Sequence, residues 1–226
     1  MSDPVSTIGP VPKRRPLLDG CGYWILGLVI LFIVFGMALG PMPGGIRYPH
    51  QSQAMQMARM IGLAMFSYSN DNDGNYPDGQ SSTEVFQKLV DGGYISDFAY
   101  FYLPLPGKIK PVAGQKLKPE NICWDMTSGV DKSSPEELPV VFITGYKINY
   151  TPGGTAVALP RHDTGWFGWL ESRYFETPGI AVCYKNNTAM FKVEAGGQGL
   201  IQKFVSPAFY ADGKTYRQLT PEGPLP

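Results

Sequence analysis

The stretch HQSQAMQMARMIGLAMFSYS, residues 50–69, has the periodicity of a long amphipathic helix. Its apolar residues recur at steps of three and four, the spacing that places side chains on one face of a helix. The members of this face are Ala54, Met57 or Ala58, Ile61, Ala64 or Met65, and Tyr68, and the other side carries Gln51, Gln53, Gln56 and Arg59. A face rich in Met and Ala can form an adaptable binding groove, but it more often packs on a sheet. We therefore predict a helix that covers a β-sheet.

The segment SYSNDNDGNYPDG, residues 67–79, follows this helix and surrounds a glycine with acidic and amide side chains. A calcium-binding EF-hand loop requires glycine at position 6 and a bidentate glutamate at position 12. With Gly74 at position 6, position 12 is Gln80. With Asp71 at position 1, Tyr76 occupies the glycine position. The segment therefore predicts a helix end and a turn, for which Asn, Asp-Gly and Pro are suited, with an irregular calcium site as the alternative.

The remaining sequence predicts a short helix followed by β-structure. Ser81-x-x-Glu84 is a capping box in front of an apolar helical pattern that ends at Gly92-Gly93. The stretch VVFITGYKINY, residues 140–150, is β-branched and aromatic, and turn residues at Asn186-Asn187 and Asp212-Gly213 predict two hairpins. The predicted fold class is α+β, with the long helix packed on a mostly antiparallel β-sheet.

An apolar segment near the start predicts a transmembrane helix. Residues 22–40 carry no charged side chain, and a helix of that length spans roughly 28 Å, about the thickness of a bilayer core. Basic residues precede the segment, which favours an N-terminus in the cytoplasm and an extracytoplasmic C-terminal domain. The predicted organisation is a basic leader (1–21), a transmembrane helix (22–40), a Pro/Gly linker (41–49) and an extracytoplasmic domain (50–226). A cleaved secretory signal and a buried core helix are the alternatives.

The cysteines offer a disulfide but no zinc site. Cys123 and Cys183 lie in the predicted outer domain, where disulfides persist. A bridge between them and two buried thiols are both compatible with the sequence. The chain has two histidines, His50 and His162, and no close cysteine pair, so the ligand spacing of structural zinc sites is missing.

Composition and motifs argue against nucleic-acid binding and catalysis. Lys+Arg and Asp+Glu number 19 each, so the basic face expected of a nucleic-acid partner is not indicated. Arg161-His162-Asp163 places a base beside an acid, but no G-x-S-x-G nucleophile motif accompanies it. The glycine-rich residues 195–199 lack the Gly-Lys-Ser/Thr ending of a phosphate-binding loop. The sequence therefore predicts a non-enzymatic protein with no catalytic residue, no metal site and no cofactor.

The segment around the turn resembles a known family. A basic leader, one apolar segment and a helix ending in GLAMFSYSNDNDGNYPDG are similar to the type IV pilins and the type II secretion pseudopilins. The residues that carry this resemblance are Tyr68, Asn70, Asp71, Asp73, Gly74, Tyr76 and Pro77, and FQKLVDGGYISD, NICWDMTSG and FYADGKTYRQL are also similar to that group. The family's processing site corresponds to Gly22 followed by Tyr23, and Gly27 stands where the family has a glutamate.

The resemblance implies a non-catalytic, membrane-anchored, pseudopilin-like component of a type II secretion or pilus-like assembly in the inner membrane. Its expected partners are membrane lipid and other pseudopilin or secretion-assembly proteins. An alternative of another class is a monomeric anchored module that binds a glycan or peptide through its aromatic loops, including residues 165–175. Leader removal would distinguish a processed subunit from such a module.

Overall fold

The computed structural model describes residues 24–31, 49–159, 175, 177–196, 198–206 and 213–225. Its internal contacts divide the chain into two compact units, residues 1–47 and 48–226, and each is described by itself. The described part of the first unit is one helix, α1, over residues 24–31. The other elements belong to the second unit.

The transmembrane helix predicted over residues 22–40 is contradicted by the structure. Among the described residues, no helix combines the length and the apolar character required to cross a bilayer. The fold class is corrected to α+β with an antiparallel sheet, and the spanning helix is withdrawn from it.

A five-stranded antiparallel sheet forms the centre of the second unit, with the strand order β6-β5-β2-β1-β8. Its strands are β1 (Trp124–Ser128), β2 (Pro139–Ile143), β5 (Gly179–Tyr184), β6 (Ala189–Val193) and β8 (Arg217–Leu219). The three inner strands are buried along their whole length, because elements cover both of their faces. The hairpin predicted at Asn186-Asn187 is confirmed, since it joins β5 to β6 and Asn187 has a φ of 61°.

A smaller three-stranded sheet contains β3 (Tyr146–Ile148), β4 (Ala156–Ala158) and β7 (Leu200–Ile201) in the order β3-β4-β7. The predicted β stretch at residues 140–150 is therefore divided between the two sheets. Gly145, with a φ of 99°, lies between β2 and β3, a backbone conformation that glycine adopts without strain. The hairpin predicted at Asp212-Gly213 lies partly outside the described residues, and the strand that follows it, β8, pairs with β1.

Helix α2 (Pro49–Asp71) lies across one face of the large sheet, in contact with β2, β5 and β6. Its buried side chains include Ala54, Ala58, Ile61 and Met65, which the helical periodicity placed on the packed face. Small residues let the helix approach the strands closely. At Gly62, an added Cβ atom would lie 2.6 Å from the Sγ atom of Cys183 on β5.

We expect Gly62→Ala to destabilise the protein by about 2 kcal/mol, because overpacking a tight contact costs about 1–3 kcal/mol. In a Cys183→Ala background the same change should be neutral or stabilising by up to about 1 kcal/mol, since alanine has the higher helix propensity. Urea unfolding of the four proteins of this double-mutant cycle measures the difference. If Gly62→Ala destabilises the protein equally in both backgrounds, contact with the Cys183 sulfur is not the reason that residue 62 must be glycine.

Helix α3 (Ser82–Asp91) begins at the predicted Ser81 cap, but the Glu84 side chain bonds Gln80 rather than the N-cap residue of a capping box. The Ser81 side chain is the N-cap and accepts a hydrogen bond from the backbone N–H of Glu84 (3.2 Å), while Glu84 accepts from the backbone N–H of Gln80 (2.9 Å). The buried Ser82 hydroxyl donates to the carbonyl of Trp124 (2.8 Å), which attaches the helix to β1. Two 3₁₀ turns, Phe98–Phe101 and Pro119–Asn121, lie in the chain between α3 and β1.

Candidate functional site

The turn after α2 is built by backbone conformation. Asp73 and Gly74 have φ angles of 56° and 84°, the left-handed region in which Asp and Gly are tolerated. The carbonyl of Ser69 accepts hydrogen bonds from the backbone N–H groups of Asn72 (3.2 Å) and Gly74 (2.8 Å). The Asn72 amide donates to the Tyr68 carbonyl at 2.8 Å. These bonds satisfy carbonyls at the end of the helix, so the predicted helix stop is confirmed.

Several side chains of the turn are engaged within the protein. Asp71 accepts a hydrogen bond from the hydroxyl of Tyr94 (2.9 Å), whose ring packs edge-on against Tyr68. Within the described residues, no group of three or more His, Cys, Asp or Glu side chains is arranged to hold a metal ion. The bonds at the helix end and the Tyr94 contact give the turn a structural role: it ends α2 and fastens it to the segment that follows α3.

The same turn docks onto the loop that follows β1. The backbone N–H of Tyr76 donates to the carbonyl of Val130 (3.1 Å), and Asn75 forms an isolated antiparallel bridge with Asp131. The Lys132 side chain covers Gly74 so closely that an added Cβ would lie 2.9 Å from it. The turn motif and the loop at residues 130–136 thus form one packed corner.

Lys185 and Lys214 also stabilise this corner through hydrogen bonds. Lys185 Nζ donates to the carbonyls of Lys132 (3.2 Å) and Ser134 (2.8 Å) and to Glu136 Oε1 (2.6 Å). The Lys214 ammonium donates to the Asp131 carboxylate, and this contact with its hydrogen bond holds the pKa of Asp131 well below its ordinary range. Both lysines use their charge to bind protein groups, so the corner is a structural clamp.

A buried polar cluster joins the two sheets on the face opposite α2. Gln218 donates through Nε2 to Asp125 Oδ2 (2.7 Å) and to the carbonyl of Tyr146 (2.5 Å), and it accepts from the N–H of Ile148 (3.0 Å). Asp125 is fully buried, and its Oδ1 atom has no hydrogen-bond partner among the described residues. Burial raises the pKa of Asp125 to about 7, while Thr144 and Gln218 oppose the rise. The carboxyl group is shut off from solvent, so it is a structural acid with a titration near neutrality.

The two cysteines considered for a disulfide lie apart. Cys123 immediately precedes β1 and Cys183 lies on β5, with β2 between these strands. Two strand spacings amount to about 9.5 Å, whereas bridged cysteines have Cα atoms within about 7 Å. Both residues are buried, and burial raises the pKa of the Cys183 thiol to about 12, which disfavours a reactive thiolate. Of the two arrangements compatible with the sequence, the structure holds two separate buried cysteines.

Several predicted features fall outside the described residues. They are the processing-site residues Gly22 and Tyr23, the residues Arg161-His162-Asp163 and most of the aromatic segment at 165–175. His50 is exposed near the start of α2. The glycine-rich segment is a connection between β6 and β7, where Gly199 donates its backbone N–H to Glu194 (3.0 Å). Where described, it has the role of the loop that its sequence predicts.

The outward face of α2 carries an apolar row that the sequence did not reveal. Met60, Leu63 and Phe66 are exposed by 41%, 37% and 48%, and they follow one another at three-residue steps. We call these three residues the outer row. The signal for it was present, because a helix with apolar residues on both sides is not a simple amphipathic helix. The assignment of polar residues to the outer side described only the first half of the helix.

Comparison with protein-family models, with curated proteins and with solved structures finds no match for this chain.

Proposed function

We propose that this protein is a non-catalytic, pseudopilin-like subunit that works by association, and that α2 is its contact surface with a second copy of the chain. The observation that carries the proposal is the outer row, which exposes three large apolar side chains on a helix of 23 residues. Helices that expose such rows bury them against a neighbouring helix or sheet.

The chemistry of this face suits an identical partner. The other exposed residues of α2 are polar, and the charged residues among them are Arg59 and, at the end of the helix, Asp71, which Tyr94 engages. An isologous interface brings the same residues of two copies together, so it tolerates few like charges. A row that carries apolar side chains and a single basic residue can be placed against itself without strong repulsion.

The engagement of the polar groups also supports the proposal. Asp71, Asp131, Lys185 and Lys214 are bonded within the protein, where they hold the turn and the corner beside it. The resemblance of this turn to the pseudopilin segment points to a subunit whose polar turn residues shape a helix end. Because these polar groups bind within the protein, we assign the contact between copies to the outer row of α2.

The test replaces two members of the outer row by charged residues. We expect Leu63→Glu with Phe66→Glu to weaken self-association of the full chain by at least about tenfold, because losing about 1 kcal/mol of apolar burial at each position exceeds the 1.4 kcal/mol of one decade. Sedimentation velocity over a concentration series measures the association. The apolar residues 22–40 are present in every variant, so a difference between variants reports on α2.

The matched control places the same two charges on exposed polar positions outside α2. Gln198→Glu with Gln202→Glu should leave the association near that of the wild type, since neither residue belongs to the helix that carries the outer row. A wild-type protein that stays monomeric at all concentrations would contradict the proposal. So would equal association of the wild type and the Leu63→Glu/Phe66→Glu variant.

A further inference from the structure

A second surface lies in the loop between the two 3₁₀ turns, at residues 104–118, which we call the basic loop. It contains Lys108, Lys110, Lys116 and Lys118, and no acidic residue occurs from residue 98 to residue 119. The chain as a whole has a formal net charge of zero. The basic loop is therefore a local concentration of positive charge on an otherwise balanced protein.

The base of the basic loop is held by specific hydrogen bonds. Ile109 donates its backbone N–H to the carbonyl of Glu120 (2.8 Å), and its own carbonyl accepts from the Asn121 amide (2.9 Å). Lys108 Nζ donates to the carbonyl of Pro119 (3.0 Å), and the N–H of Leu117 donates to Gln87 on α3 (2.8 Å). Because these bonds determine the path of the chain, the side chains between them are presented in a defined way.

The ordered loop directs apolar side chains into solvent. Ile109 is exposed by 61% and Val112 by 58%. Both backbone groups of Ile109 form hydrogen bonds, so the backbone that carries this exposed side chain is held in place. The two aliphatic side chains would gain free energy by entering an apolar environment outside the protein.

Three of the lysines keep their charge available for a partner. In the part of the chain that the structure describes, the ion pairs of lysine are made by Lys88, Lys185 and Lys214. Lys110, Lys116 and Lys118 are exposed and take part in none of them. An anionic partner could therefore approach without displacing an existing carboxylate.

We infer that the basic loop binds the surface of an anionic phospholipid bilayer. Lysines attract the negative headgroups, while Ile109 and Val112 enter the boundary between headgroups and acyl chains. An acidic polypeptide would use the lysines but offers no reason for aliphatic side chains to stand between them. The combination of both side-chain types on one ordered loop favours the lipid surface. This inference is independent of the association proposed for α2.

The test measures partition of the full chain onto vesicles of phosphatidylcholine with about one third phosphatidylglycerol. Each lysine near such a surface changes the partition coefficient about fivefold, so Lys110→Gln, Lys116→Gln and Lys118→Gln together should lower it about 100-fold. Ile109→Ser with Val112→Ser should also lower binding and should leave a larger share of it sensitive to salt. Vesicles of phosphatidylcholine alone should show little difference between the wild type and the lysine variant.

The control removes three positive charges from other exposed positions, Lys147, Lys203 and Arg217. Their replacement by Gln should leave most of the binding intact, because the charges are not combined with an apolar loop. Equal partition of the basic-loop variant and the wild type would overturn the inference. Lysine-dependent binding to soluble polyglutamate without lysine-dependent binding to anionic vesicles would overturn it in favour of an acidic protein partner.

Discussion

Raising the pH from about 4 to about 8 is expected to lower the free energy of unfolding by about 4 kcal/mol through Asp125. Burial raises the pKa of this carboxyl from its ordinary value of 3.8 to about 7 in the folded protein. The difference is about 3 pKa units, and each unit corresponds to about 1.36 kcal/mol. The folded state binds the proton more tightly than the unfolded state. The contribution is therefore present in full below pH 3.8 and is lost as the pH rises through about 7.

The measurement compares wild type and Asp125→Asn by urea unfolding between pH 4 and pH 8. An asparagine cannot ionise, so the difference between the two proteins should grow in favour of the variant as the pH rises. The amide can also place a donor at the position of the unpartnered Oδ1 atom. Taking the difference removes the titrations that do not involve Asp125, while the coulombic influence of Glu222 and Lys108 on Asp125 remains part of it.

Asp131→Asn is the control with the opposite sign. The Lys214 contact lowers the pKa of Asp131, so this carboxylate stabilises the protein above its ordinary pKa and loses that contribution as the pH falls. The wild-type protein should therefore lose its advantage over Asp131→Asn in acid. A stability difference between wild type and Asp125→Asn that does not change between pH 4 and pH 8 would show that Asp125 stays charged inside the protein.

Lys185→Met is expected to destabilise the protein by about 3 kcal/mol. The Lys185 side chain is 6% exposed, and its three N–H groups serve two backbone carbonyls and Glu136. Methionine has a similar shape but no donor, and an unsatisfied buried acceptor costs about 1–3 kcal/mol. The loop at residues 130–136 should loosen, and with it the turn that docks on this loop. Urea unfolding measures the stability, and hydrogen exchange of the Tyr76 amide, which donates to Val130, reports on the corner.

Glu136→Gln distinguishes the carbonyl contacts of Lys185 from its ion pair. The Glu136 side chain is 62% exposed, so the pair is screened by solvent and should contribute less than about 1 kcal/mol. The glutamine oxygen can still accept a hydrogen bond from Lys185. If Glu136→Gln lowers the free energy of unfolding as much as Lys185→Met does, the ion pair stabilises the loop and the bonds to the buried carbonyls do not.

Local structure was predictable where neighbouring residues decide it. The end of α2, the Ser81 cap of α3 and the Asn186-Asn187 hairpin depend on residues within a few positions of each other. Their backbone conformations follow from glycine, amide and hydroxyl chemistry that is independent of the rest of the fold. The inward face of α2 was predictable for the same reason, because its helical period lies in one continuous segment.

The membrane-spanning helix shows where this reasoning failed. Hydropathy reports how a segment would partition into oil, but a spanning helix also requires an uninterrupted helical length. In the described residues no helix satisfies both conditions. Composition was therefore an insufficient basis for including a spanning helix in the fold.

The sequence by itself determined the α+β class, the helix that covers the sheet and the turn that ends it, since these depend on local periodicity and turn chemistry. Only the tertiary structure decided which residues meet across the fold. It brought Gln218 to Asp125, placed Lys185 on the loop at residues 130–136 and left the outer row of α2 uncovered. These outcomes depend on strand order and on contacts between residues far apart in the chain, which no single segment encodes.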